Sequence, residues 1–90
     1  MNTRVLIVDD SMTYLQELAS QLREEEYVAI MASSGEEALA CLATEQVDGI
    51  LLDLIMPGLS GQEACKRIKQ RAKWRDIPLI MITAHDDRDA

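Results

Sequence analysis

Residues 5–11 read V-L-I-V-D-D-S: four aliphatic residues in a row, then two acids and a hydroxyl. A continuous Val, Leu and Ile run without alternation marks a strand buried on both faces, and such strands belong to parallel sheets covered by helices on either side. Beyond the acids, Leu15, Leu18, Ala19 and Leu22 fall at i, i+3, i+4 and i+7, so an amphipathic helix is expected from about Ser11 to Glu25. The same unit recurs along the chain. Runs at Val28–Ala32, Ile50–Leu52 and Leu79–Ile82 supply three more strands. Ser34 with Glu37, and Ser60 with Glu63, have the spacing of capping boxes that open a second and a third helix. Ala38, Leu39, Leu42 and Ala43 form the inward stripe of one, and Ala64, Cys65 and Ile68 that of the other. Pro57 and Gly58 make a turn after the third strand, and Pro78 opens the fourth, where proline is tolerated. Strands alternating with helices predict an α/β fold with a doubly wound parallel sheet.

Ninety residues with 48% hydrophobic content make one globular domain with a buried core. Nine Lys and Arg against 16 Asp and Glu give a formal charge of −7, which disfavours generic attraction to nucleic acid or anionic lipid. The apolar runs are far too short to span a bilayer, and Asp9 and Asp10 interrupt any secretory leader, so no membrane or export address is expected. Cys41 and Cys65 each occupy a helical position suited to a small apolar residue. Buried thiols in a reducing cytoplasm are expected rather than a disulfide, and two distant cysteines with a single His85 exclude structural zinc. Only Ala84–Ala90 follows the fourth strand, so its outer edge is expected to lack cover unless the chain continues or a second copy pairs there.

Ligands of open α/β sheets bind at the carboxyl ends of the strands. Those ends carry Asp9 and Asp10 after the first run, Asp53 after the third and Thr83 after the fourth. The second run ends in Ala32, Ser33 and Ser34 with no acid, consistent with an outer place for it in the order 2-1-3-4. Three converging carboxylates repel one another and call for a bound cation or a shared proton. Oxygen-only ligands suit Mg²⁺, which uses one or two carboxylates and leaves an acid available as the nucleophile of a phosphoryl transfer. Taken singly, Asp-Asp-Ser is an ordinary helix N-cap, Asp53 a turn residue and Thr83 a strand residue. Their joint placement at three strand ends is what capping does not require.

V-L-I-V-D-D-S at 5–11, L-L-D-L-I-M-P-G at 51–58, Gly61 and I-M-I-T-A at 80–84 together resemble the receiver domain of two-component response regulators, over essentially all 90 residues. The resemblance implies a flavodoxin-like receiver fold and a cytoplasmic phosphoprotein that switches protein contacts instead of turning over a substrate, so not an enzyme. It implies that Asp53 is the phospho-acceptor, taking its phosphoryl group from a sensor histidine kinase or the phosphotransfer domain of a phosphorelay. Asp9, Asp10 and Asp53 would hold Mg²⁺ with the backbone carbonyl of Ile55, Asp10 more directly and Asp9 partly through water. Thr83 would donate its hydroxyl to the phosphoryl group, and the small Ala84 would leave it room. Receivers continue into a fifth strand ending in a lysine and then a fifth helix. This sequence stops before both, so residues 1–90 correspond to a receiver domain incomplete at its C-terminus, with no catalytic lysine in the chain.

Met12 and Tyr14 flank the acid pair off the main helix seam and are candidates for docking the phosphodonor. Six of the nine cations lie in Lys66–Arg75, expected as a solvated face near a helix C-terminus with a docking patch for an acidic partner as the alternative, and with Trp74 a packed loop aromatic. His85 is expected in a solvated loop, and Asp86, Asp87 and Asp89 in the start of a fourth helix. A homodimer through the fourth-strand edge is a further expectation. Three other functions compete. A phosphatase with an aspartate nucleophile carries a second Asp two residues after the first, where Ile55 stands here. A scaffold using the same fold without phosphorylation would not need the acidic residues. A dinucleotide-binding module lacks its G-x-G-x-x-G after the first strand.

Overall fold

In the computed structural model, which describes residues 2–53 and 61–82, β1 (Arg4–Val8) pairs in parallel with β2 (Val28–Ala32) on one side and β3 (Gly49–Asp53) on the other. Outside β3 lies β4 (Leu79–Ile82), giving the expected order β2-β1-β3-β4. The helices α1 (Met12–Glu24), α2 (Gly35–Thr44) and α3 (Gly61–Gln70) connect successive strands. The Ser60 cap, the Pro57-Gly58 turn, Ile55, Thr83, Ala84, His85 and the acidic tail lie outside the described residues.

The unbroken apolar run of β1 is explained by what covers it. Leu6 and Val8 join Ala32, Ile50 and Leu52 on one face, packed by Ala38 and Leu42 of α2, Ala64 and Ile68 of α3, and Trp74. Val5 and Ile7 point to the other face, against Leu15 and Ala19 of α1. Burying each such aliphatic side chain contributes about 1.5–3 kcal/mol, so neither face of β1 tolerates a polar residue. The cover thins at β4, where Ile80 is 62% exposed.

Three helix details differ from the sequence expectation. Ala43 is exposed, and Cys41 packs against the core in its place. The stripe of α2 is centred on Ala38, so positions i+3 and i+4 flank it while i+5 turns away. Both cysteines are free and only half-buried, and desolvation, followed by the charges of Glu37 and Glu45, pushes the Cys41 thiol up. At the start of α2, Ser34 Oγ accepts from Glu37 N–H at 3.0 Å as a capping box requires. The Glu37 carboxylate, however, reaches past the cap to Ser33, accepting from its N–H at 2.7 Å and its Oγ at 3.0 Å. Those two bonds to the ionised form hold the Glu37 carboxyl below the usual glutamate range.

The end of α1 is a Schellman turn: Tyr27 N–H donates to Leu22 O and Glu26 N–H to Arg23 O, each at 3.0 Å. The turn requires a left-handed residue, and Glu26 occupies it with φ of 69°. From the last turn of α3, Lys69 Nζ donates to the carbonyls of Arg75 and Ile77, each at 3.0 Å, tying down the connection to β4. Trp74 is buried there as expected, with Arg71 over its ring at 5.2 Å. At the same amino end of the sheet, Arg4 donates from Nε to Gln46 O at 2.7 Å and from Nη2 to Glu45 Oε1 at 2.8 Å, fastening the α2–β3 connection to β1.

Replacing Glu26 by glycine removes the left-handed penalty, and chemical denaturation should show a gain on the order of 1 kcal/mol. For Glu37, the lowered folded value places its stabilisation above the ordinary carboxyl pKa of about 4.3, to be lost as pH falls through the folded value. Wild type should therefore exceed Glu37→Gln in stability at neutral pH. That margin should shrink in acid denaturation series below about pH 4.3.

Candidate functional site

The order β2-β1-β3-β4 reverses direction between β1 and β3, and ligands of doubly wound sheets sit at that reversal. The register puts the carboxyl ends of these strands level, with Val8 opposite both Ala32 and Leu52. Asp9 follows β1 directly, and its N–H still donates to Ala32 O at 3.1 Å, extending the ladder by one residue. Asp53 is the last residue of β3 and pairs in register with Ile82, one step earlier than a position beyond the strand.

Asp9, Asp10 and Asp53 converge, each offering a carboxylate oxygen such that all three lie within 4.8 Å of one another. Their environments are unequal. Asp9 and Asp53 are each 1% exposed, whereas Asp10 faces solvent. Asp9 is oriented by its own turn, since Oδ1 accepts from Ser11 N–H at 2.9 Å. Ser11, rather than either acid, is the N-cap of α1, its Oγ accepting from Tyr14 N–H at 3.3 Å. The capping role suggested by Asp-Asp-Ser thus falls to Ser11, while the N-terminal end of the α1 dipole favours negative charge beside it. Ser11 is the site residue whose orienting role the sequence reading missed. The signal was present in the Asp-x-Ser spacing, which suits an Asx turn.

A buried pair of carboxylates with a third at the rim is an oxygen-only donor set. It fits a hard divalent cation such as Mg²⁺, and it lacks the imidazole and thiolate ligands that softer metals prefer. A cation there offsets the repulsion while leaving carboxylate oxygens for chemistry. Met12 and Tyr14 stand on the first turn of α1 beside this cluster. Met12 is 56% exposed and Tyr14 half-buried, so the two differ in what they offer a partner. Ile55, Thr83 and Ala84 lie outside the described residues.

A family model described as the response regulator receiver domain matches residues 5–90. The response regulator PleD of Caulobacter vibrioides is 40% identical over 88 residues, covering 98% of this chain and 19% of PleD. The chain therefore spans about a fifth of that relative's length. Among solved structures, the N-terminal domain of a response regulator receiver protein from Methanoculleus marisnigri JR1 superposes with a TM-score of 0.88 at 40% identity, covering 90% of this chain and 66% of that one. The response regulator TrrA of Thermotoga maritima, solved in complex with Mg²⁺-BeF, gives a TM-score of 0.82 at 35% identity, covering 97% and 76%.

Removing one charge from the cluster should stabilise the cation-free fold. In chelator, Asp53→Asn is expected to gain on the order of 1 kcal/mol, because one of three mutually repelling carboxylates loses its charge. Thermal unfolding followed by circular dichroism checks this, and addition of Mg²⁺ should narrow the difference.

Proposed function

The chain belongs to the response regulator receiver domain family, and from that premise we propose that Asp53 is its phospho-acceptor, charged by a sensor histidine kinase or a phosphotransfer domain. Phosphoryl acceptance is the general function of the family, whose members are signalling modules rather than classical enzymes. The observation that carries the residue assignment is the convergence of Asp9, Asp10 and Asp53 within 4.8 Å at the carboxyl ends of the two central strands.

Each residue has a part in this reading. A carboxylate oxygen of Asp53 attacks the phosphorus of a phosphohistidine. The new P–O bond forms as the P–N bond breaks, and the leaving imidazole nitrogen keeps the bonding pair and takes up a proton from water. Asp9 and Asp10 hold Mg²⁺ together with Asp53 and the backbone carbonyl of Ile55. When bound, the ion supplies positive charge to neutralise the phosphoryl oxygens. Ser11 keeps Asp9 turned toward the cluster. Thr83 donates its hydroxyl to a phosphoryl oxygen once Asp53 is modified, and Ala84 leaves space for the group.

Docking of the phosphodonor is assigned to Met12 and Tyr14, of which Met12 is the more exposed. Residues 1–90 are assigned to a receiver domain, and no nucleic-acid contact is assigned to it. Among the described residues no helix is long and apolar enough to cross a membrane, and the domain is assigned to the cytoplasm. The exposed side chains of β4, Ile80 foremost, support pairing of two copies through that edge.

Incubation with Mg²⁺ and acetyl phosphate, followed by intact mass, tests the assignment. One added phosphoryl group is expected on the wild-type chain, falling to background in Asp53→Asn and when Mg²⁺ is chelated. Equal modification of wild type and Asp53→Asn, or no modification of either, overturns it.

A further inference from the structure

The acid cluster accounts for one end of the sheet, but the charge distribution has a second pole. Lys66–Arg75 holds six of the nine cations and no acid, leaving three cations to accompany all 16 acids elsewhere in the chain. Part of this basic stretch borders a groove of about 640 Å³ on the α2–α3 side of the sheet. Leu39, Ala43 and Trp74 give the groove an apolar lining, while Arg67, Arg71 and Lys73 give it positive charge. We propose that this groove is a docking site for an acidic amphipathic segment of a partner protein.

Charge complementarity selects that occupant. Among the described residues, no carboxylate comes within ion-pair distance of Arg71 or Lys73, and Arg67 has only an i,i+4 pair with Glu63 at 3.5 Å. Both members of that pair are about half exposed, so an incoming carboxylate can exchange with Glu63 at little cost. Arg71 is held over the Trp74 ring at 5.2 Å, which orders its guanidinium while leaving its in-plane N–H groups able to take a carboxylate. The apolar lining then requires aliphatic side chains beside the acids, the pattern of an amphipathic segment. Two features oppose a polyanion such as nucleic acid. Trp74 is 7% exposed and already has Arg71 over its ring, so it makes a poor stacking platform. The acid-rich remainder of the chain repels an extended polyanion at long range.

Trp74 is the chain's single tryptophan, so its emission reports on the groove directly. The probe is a synthetic helical peptide with leucines on one face and glutamates flanking them, compared with the same peptide carrying glutamine for every glutamate. The glutamate peptide is expected to change Trp74 emission saturably, with affinity falling as salt rises. Lys73→Glu, at an exposed position, and Arg71→Gln should each weaken binding by about tenfold, with phosphorylation of Asp53 from acetyl phosphate unchanged in Lys73→Glu. Failure of the glutamate peptide to bind, equal binding of the glutamine peptide, or unchanged binding in Lys73→Glu overturns the proposal. So does displacement of the peptide by a single-stranded oligonucleotide at equal charge concentration, which would assign the groove to nucleic acid. A salt-sensitive dimer in sedimentation that Lys73→Glu abolishes would instead assign it to a second copy of the chain.

Discussion

Strand β1 hydrogen-bonds along both edges, to β2 and to β3, and this double pairing is the constraint on which the rest of the molecule depends. A strand paired on both sides in a parallel sheet has both faces turned to helices, so Val5, Leu6, Ile7 and Val8 are all buried and none can alternate with a polar residue. Because the β1–α1–β2 crossover runs one way across the sheet while β2–α2–β3 and β3–α3–β4 run the other, right-handed connections put α1 on one face and α2 and α3 on the other. The reversal that separates the helices also opens the crevice at the carboxyl ends of β1 and β3. Core and site are thus two results of one topology.

The acids at that crevice work against stability. Asp9 and Asp53 are as buried as the aliphatic residues around them, and burial of charge is costly unless it is paired or hydrogen-bonded. The fold meets part of that cost with the Ser11 amide and the start of α1. The result is a negative niche at the end of the sheet, a setting in which bound charge changes the local free energy. Such a niche suits a module that responds to the arrival and loss of a charged group.

The basic groove follows the same economy on a different scale. Lys69 in the last turn of α3 is used internally to hold the α3–β4 connection, and Arg71 is ordered by Trp74, so these two cations are not interchangeable solvated charges. The acidic crevice at the strand ends and the cationic groove beside α2 and α3 give a chain of net charge −7 two surfaces of opposite preference.

Local signals in the sequence determined the strands, the helices, the helix starts at Ser11 and Ser34 and the outer place of β2, because each rests on a periodicity or cap spanning a few residues. They also marked Asp9, Asp10 and Asp53 as strand-end acids. The family motifs extended that legibility to the receiver architecture. Where a local rule had competitors, the sequence alone was insufficient. Glu26 gives no hint of a left-handed turn because glycine is the usual occupant, and Glu37 could bond the cap or the residue before it. The exposed Ala43 and half-buried Cys41 depended on how α2 is rotated against the sheet. Tertiary structure alone decided that residues more than forty positions apart meet within 4.8 Å, that Asp10 stays wet while its neighbour is sealed, and that Arg71 lies on Trp74. The physical reason is range: backbone propensity and side-chain period act over a turn or a strand, whereas distance and burial are set by register and packing across the whole sheet.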